Sequence, residues 1–182
     1  MIIGITGTLG AGKGTIVEYL KKKGFRHYSV RQFITEEIKR RRMPVNRDSM
    51  VEVGNDLRAK KGASYCAEKL YETAEKEKGD CIIESIRTPG EAEALKKKGK
   101  FVLFAVDANP RIRYERAVKR GTSTDSVSFD TFIENERREM TSTDPNKQNI
   151  SKVMEMADFT FENNGTIEDL NKKVEEVLAK LE

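Results

Sequence analysis

Nine residues near the start of the chain, Gly7-Thr8-Leu9-Gly10-Ala11-Gly12-Lys13-Gly14-Thr15, constrain its fold more than any other stretch. They follow an apolar run, Ile2 to Thr6, and lead into an amphipathic one. Glycines there let the backbone bend so that several N–H groups point inward, and the N-terminus of the helix that follows adds partial positive charge. Together they form a nest for phosphate. The Lys13 ammonium reaches the outer phosphates, and the Thr15 hydroxyl serves phosphate or the shell of a magnesium ion. The strict motif has Ser or Thr directly after the lysine, whereas here Gly14 intervenes.

The remainder alternates short apolar runs with longer amphipathic ones. Strands are expected at Ile2 to Thr6, Arg26 to Ser29, Cys81 to Ser85, Phe101 to Asp107 and Phe159 to Glu162. Helix starts are marked by Thr88-Pro89-Gly90-Glu91, a capping box with Pro at the first helical position, by Asn109-Pro110, and by Thr166-Ile167-Glu168-Asp169. The run Phe101 to Val106 is apolar on both faces, as a strand buried on both sides requires. Such alternation predicts an α/β fold with a parallel sheet and helices on both faces. Residues 30–79 carry helical patterns and no strand, and residues 121–128 form a polar loop between two helices.

Composition narrows the setting. The 182 residues fit a single domain. No apolar run approaches the roughly 18 residues of a membrane span, and the N-terminus reads as a strand and not as a signal peptide. Cys66 and Cys81 match no metal spacing and no disulfide framework, so a reducing, cytoplasmic compartment is expected. The net charge of +4 suits a phosphate-rich ligand and would also suit nucleic acid. Lys39-Arg40-Arg41-Arg42 reads as a solvated helix end, so a nucleic-acid partner is not expected.

The chain resembles the nucleoside monophosphate kinase group of P-loop kinases, which includes adenylate kinase and, more distantly, dephospho-CoA kinase. Gly7 to Thr15 matches the phosphate loop, in the Gly-Lys-Gly-Thr variant of adenylate-kinase-like enzymes. Glu84-Ser85-Ile86-Arg87-Thr88 looks like that group's Asp-Gly-Phe-Pro-Arg segment, one residue shorter. Arg113, Arg116 and Arg120 look like the arginines leading into its lid, and Ala157-Asp158 with Asn164-Gly165-Thr166 is similar to the segment near the adenine ring. The resemblance implies a three-layer P-loop NTPase fold with five parallel strands, a helical acceptor-binding insert at 30–79 and a short lid at 113–128. It also implies ATP as donor and Mg2+ as cofactor. Ser29-Val30-Arg31-Gln32 departs from the Ser-Thr-Gly-Asp of adenylate kinases, and the Asp-x-Asp of dephospho-CoA kinases is absent. Gly54-Asn55-Asp56-Leu57-Arg58 looks more like deoxynucleotide-kinase-like relatives, in which a comparable arginine lies on the acceptor side.

Phosphoryl transfer asks for alignment and for positive charge where negative charge spreads. Lys13, Arg87, Arg116 and Arg120 are therefore the expected catalytic residues. Arg113 shares the helix face of Arg116 and Arg120 by the i, i+3, i+7 spacing. Glu84, at a strand's carboxyl end, and Thr15 are the expected magnesium contacts. Arg31, Arg58 and Arg87 are the expected acceptor forks, with Arg47 a further candidate. His27 is expected to do no catalytic work, and Asp107 either faces the crevice or leads the turn into Asn109. The expected reaction is ATP-dependent transfer to a nucleoside monophosphate or similar small nucleotide. Transfer to dephospho-CoA is one alternative, and a nucleotide-dependent switch or RNA-associated NTPase another.

Overall fold

The computed structural model describes residues 1–121 and 127–181. Its five strands are β1 (Ile2–Gly7), β2 (Arg26–Ser29), β3 (Cys81–Glu84), β4 (Phe101–Asp107) and β5 (Phe159–Glu162). They form one parallel sheet in the order β2-β3-β1-β4-β5. β1 is central because all six of its residues are buried, which only a strand covered on both faces tolerates.

Successive strand residues point to opposite faces, and this divides the core in two. On one face Ile3, Ile5, Ile82 and Phe104 pack against α1 (Lys13–Lys22) and α9 (Ile167–Leu178), through Ile16, Leu20 and Val174. On the other, Ile2, Ile83 and Leu103 meet α2 (Val30–Arg40), α3 (Arg47–Lys61), α4 (Tyr65–Glu77), α5 (Pro89–Lys96) and α8 (Ile150–Glu155). Fully burying each such side chain contributes about 1.5–3 kcal/mol. The three helices α2, α3 and α4 join β2 to β3, so the strandless stretch expected at 30–79 is helical throughout its core.

The expected helix starts are present. Thr88 and Glu91 form a reciprocal capping box with Pro89 in the first turn of α5, and Thr166 with Asp169 does the same for α9. Asn109 caps α6 (Pro110–Arg120) by accepting from Arg111 N at 2.9 Å. α6 is followed by α7 (Phe129–Met140). Most of the expected lid loop, residues 122–126, lies outside the described residues. The helices flanking it are tied by aromatic packing, with the Tyr114 ring edge-on to Phe129 and Phe132 at 5.3 and 5.5 Å.

Candidate active site

The phosphate loop leaves the carboxyl end of β1, where open parallel sheets place their ligands. Two of its glycines are fixed by crowding. Gly12 has φ 112°, and a Cβ there would stand 2.3 Å from Asn163 Nδ2. Gly10 has φ 77°, and a Cβ there would stand 2.3 Å from the Arg113 carbonyl oxygen. Neighbouring elements clamp the loop. The Thr8 hydroxyl donates to Asp107 at 2.5 Å, and Asn163 Nδ2 donates to the Ala11 carbonyl at 2.8 Å. Arg113 donates to the Ala108 and Leu9 carbonyls at 2.8 and 3.3 Å.

Inside the loop, Lys13 Nζ donates to the Gly7 and Thr8 carbonyls at 2.8 and 2.7 Å. Burial, with the nearby Arg87 charge, brings its pKa down to about 7. Gly12, at the N-cap of α1, has no side chain with which to accept from the first N–H groups of the helix, which leaves that terminus open to an anion.

Lys13, Thr15, Glu84, Arg116 and Arg120 share the walls of a cleft of about 400 Å³. Arg116 is steadied by donating to the Asn163 and Gly165 carbonyls at 2.9 and 3.4 Å. Ile167, 60% exposed, adds an apolar surface to the same cleft. Burial alone would raise the Glu84 carboxyl, but the His27 hydrogen bond at 3.2 Å and the Lys13 charge hold it below its usual value. Glu84 is therefore ionised, and it lines the same cleft as Thr15. That oxygen-only pair fits magnesium, which in phosphate sites takes one or two protein oxygens and completes its shell with water and phosphate.

A smaller pocket of about 40 Å³ adjoins the cleft, and both are lined by Leu9, Arg31, Ser85 and Arg87. Arg87 follows a strained backbone position. Ser85, a non-glycine residue, sits at φ 69° after β3, with its N–H on the Ile5 carbonyl at 3.0 Å. In the pocket the Glu139 carboxylate bridges two arginines: Arg47 Nη2 lies 2.5 Å from Oε1, and Arg87 Nη1 contacts Oε2. Arg87 also donates to Gln148 Oε1 at 2.8 Å. Burial would raise the Glu139 carboxyl, but the Arg87 and Arg47 charges keep it below the ordinary carboxylate range.

Two expectations are corrected. Arg58 was expected as an acceptor fork, but it is only 1% exposed and donates from Nε and Nη2 to Glu91 Oε1 at 3.2 and 3.1 Å. The other Glu91 oxygen accepts from the backbone N–H groups of Arg87 and Thr88 at 2.8 and 3.1 Å. Arg58 thus forms part of the floor of the smaller pocket and braces the segment that carries Arg87. Arg113, expected to share a ligand-facing stripe with Arg116 and Arg120, is 3% exposed beneath the phosphate loop and paired with Glu136. Its bonds to the Ala108 and Leu9 carbonyls hold it against the loop, whereas Arg116 and Arg120 line the cleft.

Glu139, Gln148 and Asn163 are site residues that sequence reasoning missed. Glu139 lies in Glu134-Asn135-Glu136-Arg137-Arg138-Glu139, where nothing separates it from its solvated neighbours. Asn163 directly precedes the Asn164-Gly165-Thr166 turn, and its place at a strand's carboxyl end was the available signal.

The family described as AAA domain matches residues 3–142. A UPF0200 protein of Thermococcus sibiricus is 30% identical over 188 residues, spanning 100% of this chain and 95% of that relative. A UPF0200/UPF0201 protein of Archaeoglobus fulgidus is 32% identical over 186 residues and 99% of this chain, and the chain spans 55% of that relative's length. Among solved structures, shikimate kinase from Bacteroides thetaiotaomicron is similar with a TM-score of 0.58 at 16% identity, over 98% of both chains. That likeness is one of fold, and the fold is P-loop and kinase-like.

Proposed function

The chain belongs to the AAA domain family and to the UPF0200 family, and on that premise we propose that it is a kinase transferring the terminal phosphoryl group of ATP to a nucleoside monophosphate or similar small nucleotide. One observation carries the reading. Arg31, Ser85 and Arg87 line both the phosphate-loop cleft and the arginine-walled pocket beside it, so the two cavities are contiguous, which supports a donor site beside an acceptor site. A nucleotide hydrolase needs no second anion pocket there.

The chemistry follows from the placement. The triphosphate lies along Gly7 to Thr15, with the α1 N-terminus and Lys13 on its outer phosphates. An acceptor phosphate oxygen, held by Arg31, Arg47 and Arg87, attacks the terminal phosphorus in line. The new P–O bond forms as the bond to the β-phosphate oxygen breaks, and ADP leaves. Lys13, Arg87, Arg116 and Arg120 offset the spreading charge. An ionised phosphate acceptor needs no general base. Magnesium, held by Thr15 and Glu84, would neutralise phosphate charge when bound. The Asn163–Ile167 end of the cleft offers backbone groups and an apolar side chain to the donor base.

The test is a transfer screen. The protein, magnesium and ATP are mixed with each ribo- and deoxyribonucleoside monophosphate and with dephospho-CoA, and ADP release is read against the rate without acceptor. One acceptor raising release many-fold, with the gain lost in Lys13→Ala, is the expected result. A flat response across the panel with intact ATP binding overturns the reading.

A further inference from the structure

Glu139 is the feature of the pocket that kinase chemistry leaves unexplained. A carboxylate is an odd occupant for a site meant to attract anions. Yet Glu139 is only 5% exposed, and it places one oxygen on Arg47 and the other on Arg87. That is how a bridging anion lies between two guanidinium forks.

Building on the proposed kinase reading, we infer that Glu139 is an internal stand-in for the acceptor's anionic group, and that having to displace it makes the pocket select phosphomonoesters over carboxylates. Exchange energetics give the reason. A carboxylate ligand brings one charge and two oxygens, which is what Glu139 already supplies, and Glu139 has the advantage of being tethered. Exchanging one for the other gains nothing. A phosphomonoester brings a charge of about −1.5 to −2 and three terminal oxygens. It can satisfy Arg47 and Arg87 together and still present an oxygen to Arg31 on the same wall. Glu139 therefore acts as a built-in competitor that only the more highly charged ligand outbids, a form of specificity by penalising the wrong partner. It is a specificity-determining residue and makes no bond to the reacting atoms.

The inference is tested on the full chain with the phosphate loop filled by a non-hydrolysable ATP analogue and magnesium. Inorganic phosphate and acetate are then titrated separately by calorimetry, with Arg47→Ala as the control that assigns the binding to this pocket. Wild-type protein is expected to bind phosphate and not acetate. Glu139→Gln removes the competing charge at constant size, so phosphate binds roughly tenfold tighter and acetate becomes detectable. Glu139→Asp, which draws the carboxylate back by one methylene, falls between the two and serves should the glutamine variant fail to fold. Phosphate affinity unchanged or weakened in both variants overturns the inference, and so does acetate competing as well as phosphate in the wild type. Transfer abolished in Glu139→Gln with phosphate affinity unchanged also overturns it, since Glu139 would then be acting as a base or as a strut. Failure of the ATP analogue to bind counts against the kinase reading alone, because the phosphate-to-acetate ratio at Arg47 and Arg87 is still read without it.

Discussion

The cradle around Lys13 is made mostly of backbone from one continuous stretch, Gly7 to Thr15, whereas the pocket around Arg87 is made of side chains from α2, α3, α7 and the loops after β3 and before α8. The first offers N–H groups and a helix terminus as a proposed phosphate site, and its loop is clamped by Asp107, Arg113 and Asn163. Little has to move for it to work. In the second the arginines are already engaged by Glu139, so on the proposed reading binding there is an exchange of partners. A site of the first kind is preorganised and tolerant of what its phosphates belong to. A site of the second kind discriminates, because every ligand is weighed against the internal one.

The largest expected effect separates bracing from binding. Glu91→Ala leaves Arg58 buried and unpaired, and a loss of about 3–5 kcal/mol is expected in chemical denaturation. Arg58→Met combined with Glu91→Gln should recover most of that loss, since the glutamine still caps α5, and should leave the acceptor KM unchanged. A tenfold rise in acceptor KM would return Arg58 to the acceptor site.

Lys13→Ala comes next. Its transfer rate should fall by about 10²–10³, the scale of removing one preorganised charge from a transition state. Its thermal midpoint should hold or rise, since burial already disfavours the Lys13 charge. A collapse of the fold would contradict a purely catalytic lysine.

Arg47→Ala is expected to raise the acceptor KM roughly tenfold with the ATP KM unchanged, a split visible in initial-rate kinetics. Equal effects on both would erase the division between the two regions.

The smallest effect is a pH dependence of the cradle. With the Lys13 pKa brought down to about 7, the protein without nucleotide carries a neutral amine above that pH. Triphosphate favours the ammonium, so binding takes up a proton at higher pH, and affinity falls as pH rises through 7 towards 9, by at most about tenfold per unit. The same shift makes the folded chain gain stability from this group as pH rises from about 7, because the unfolded lysine holds its proton to about 10.4. Calorimetry at pH 8.5 in two buffers of different ionisation heat should show proton uptake that Lys13→Ala abolishes.

The same contrast governs what could be read from sequence. The cradle was legible because backbone recognition needs its glycines and lysine in one unbroken order. Strands β2, β4 and β5 fall on the expected residues, β4 because an apolar run between turn residues has few other ways to be buried. The capping box at Thr88 and Glu91 was legible too, being local. The second task of Glu91, neutralising Arg58 from the α3 side, was not, since the pair is 33 residues apart in sequence. Arg58 itself stands in a helix that ends Lys60-Lys61 and has the look of a surface residue. Glu139 was hidden for the same reason: only tertiary packing tells which of several helical glutamates turns inward.

The most direct test of the account is whether cradle and pocket form one transfer site. ATP can be linked through an additional phosphate to an acceptor nucleoside, and the binding of such bisubstrate analogues measured with magnesium against ATP itself. If the regions are contiguous, the analogue carrying the right nucleoside binds about 10²-fold or more tighter than ATP, and Arg47→Ala removes that surplus while leaving ATP affinity intact. If no analogue binds more tightly than ATP, the two regions do not act on one phosphoryl group, and the proposed kinase mechanism is wrong.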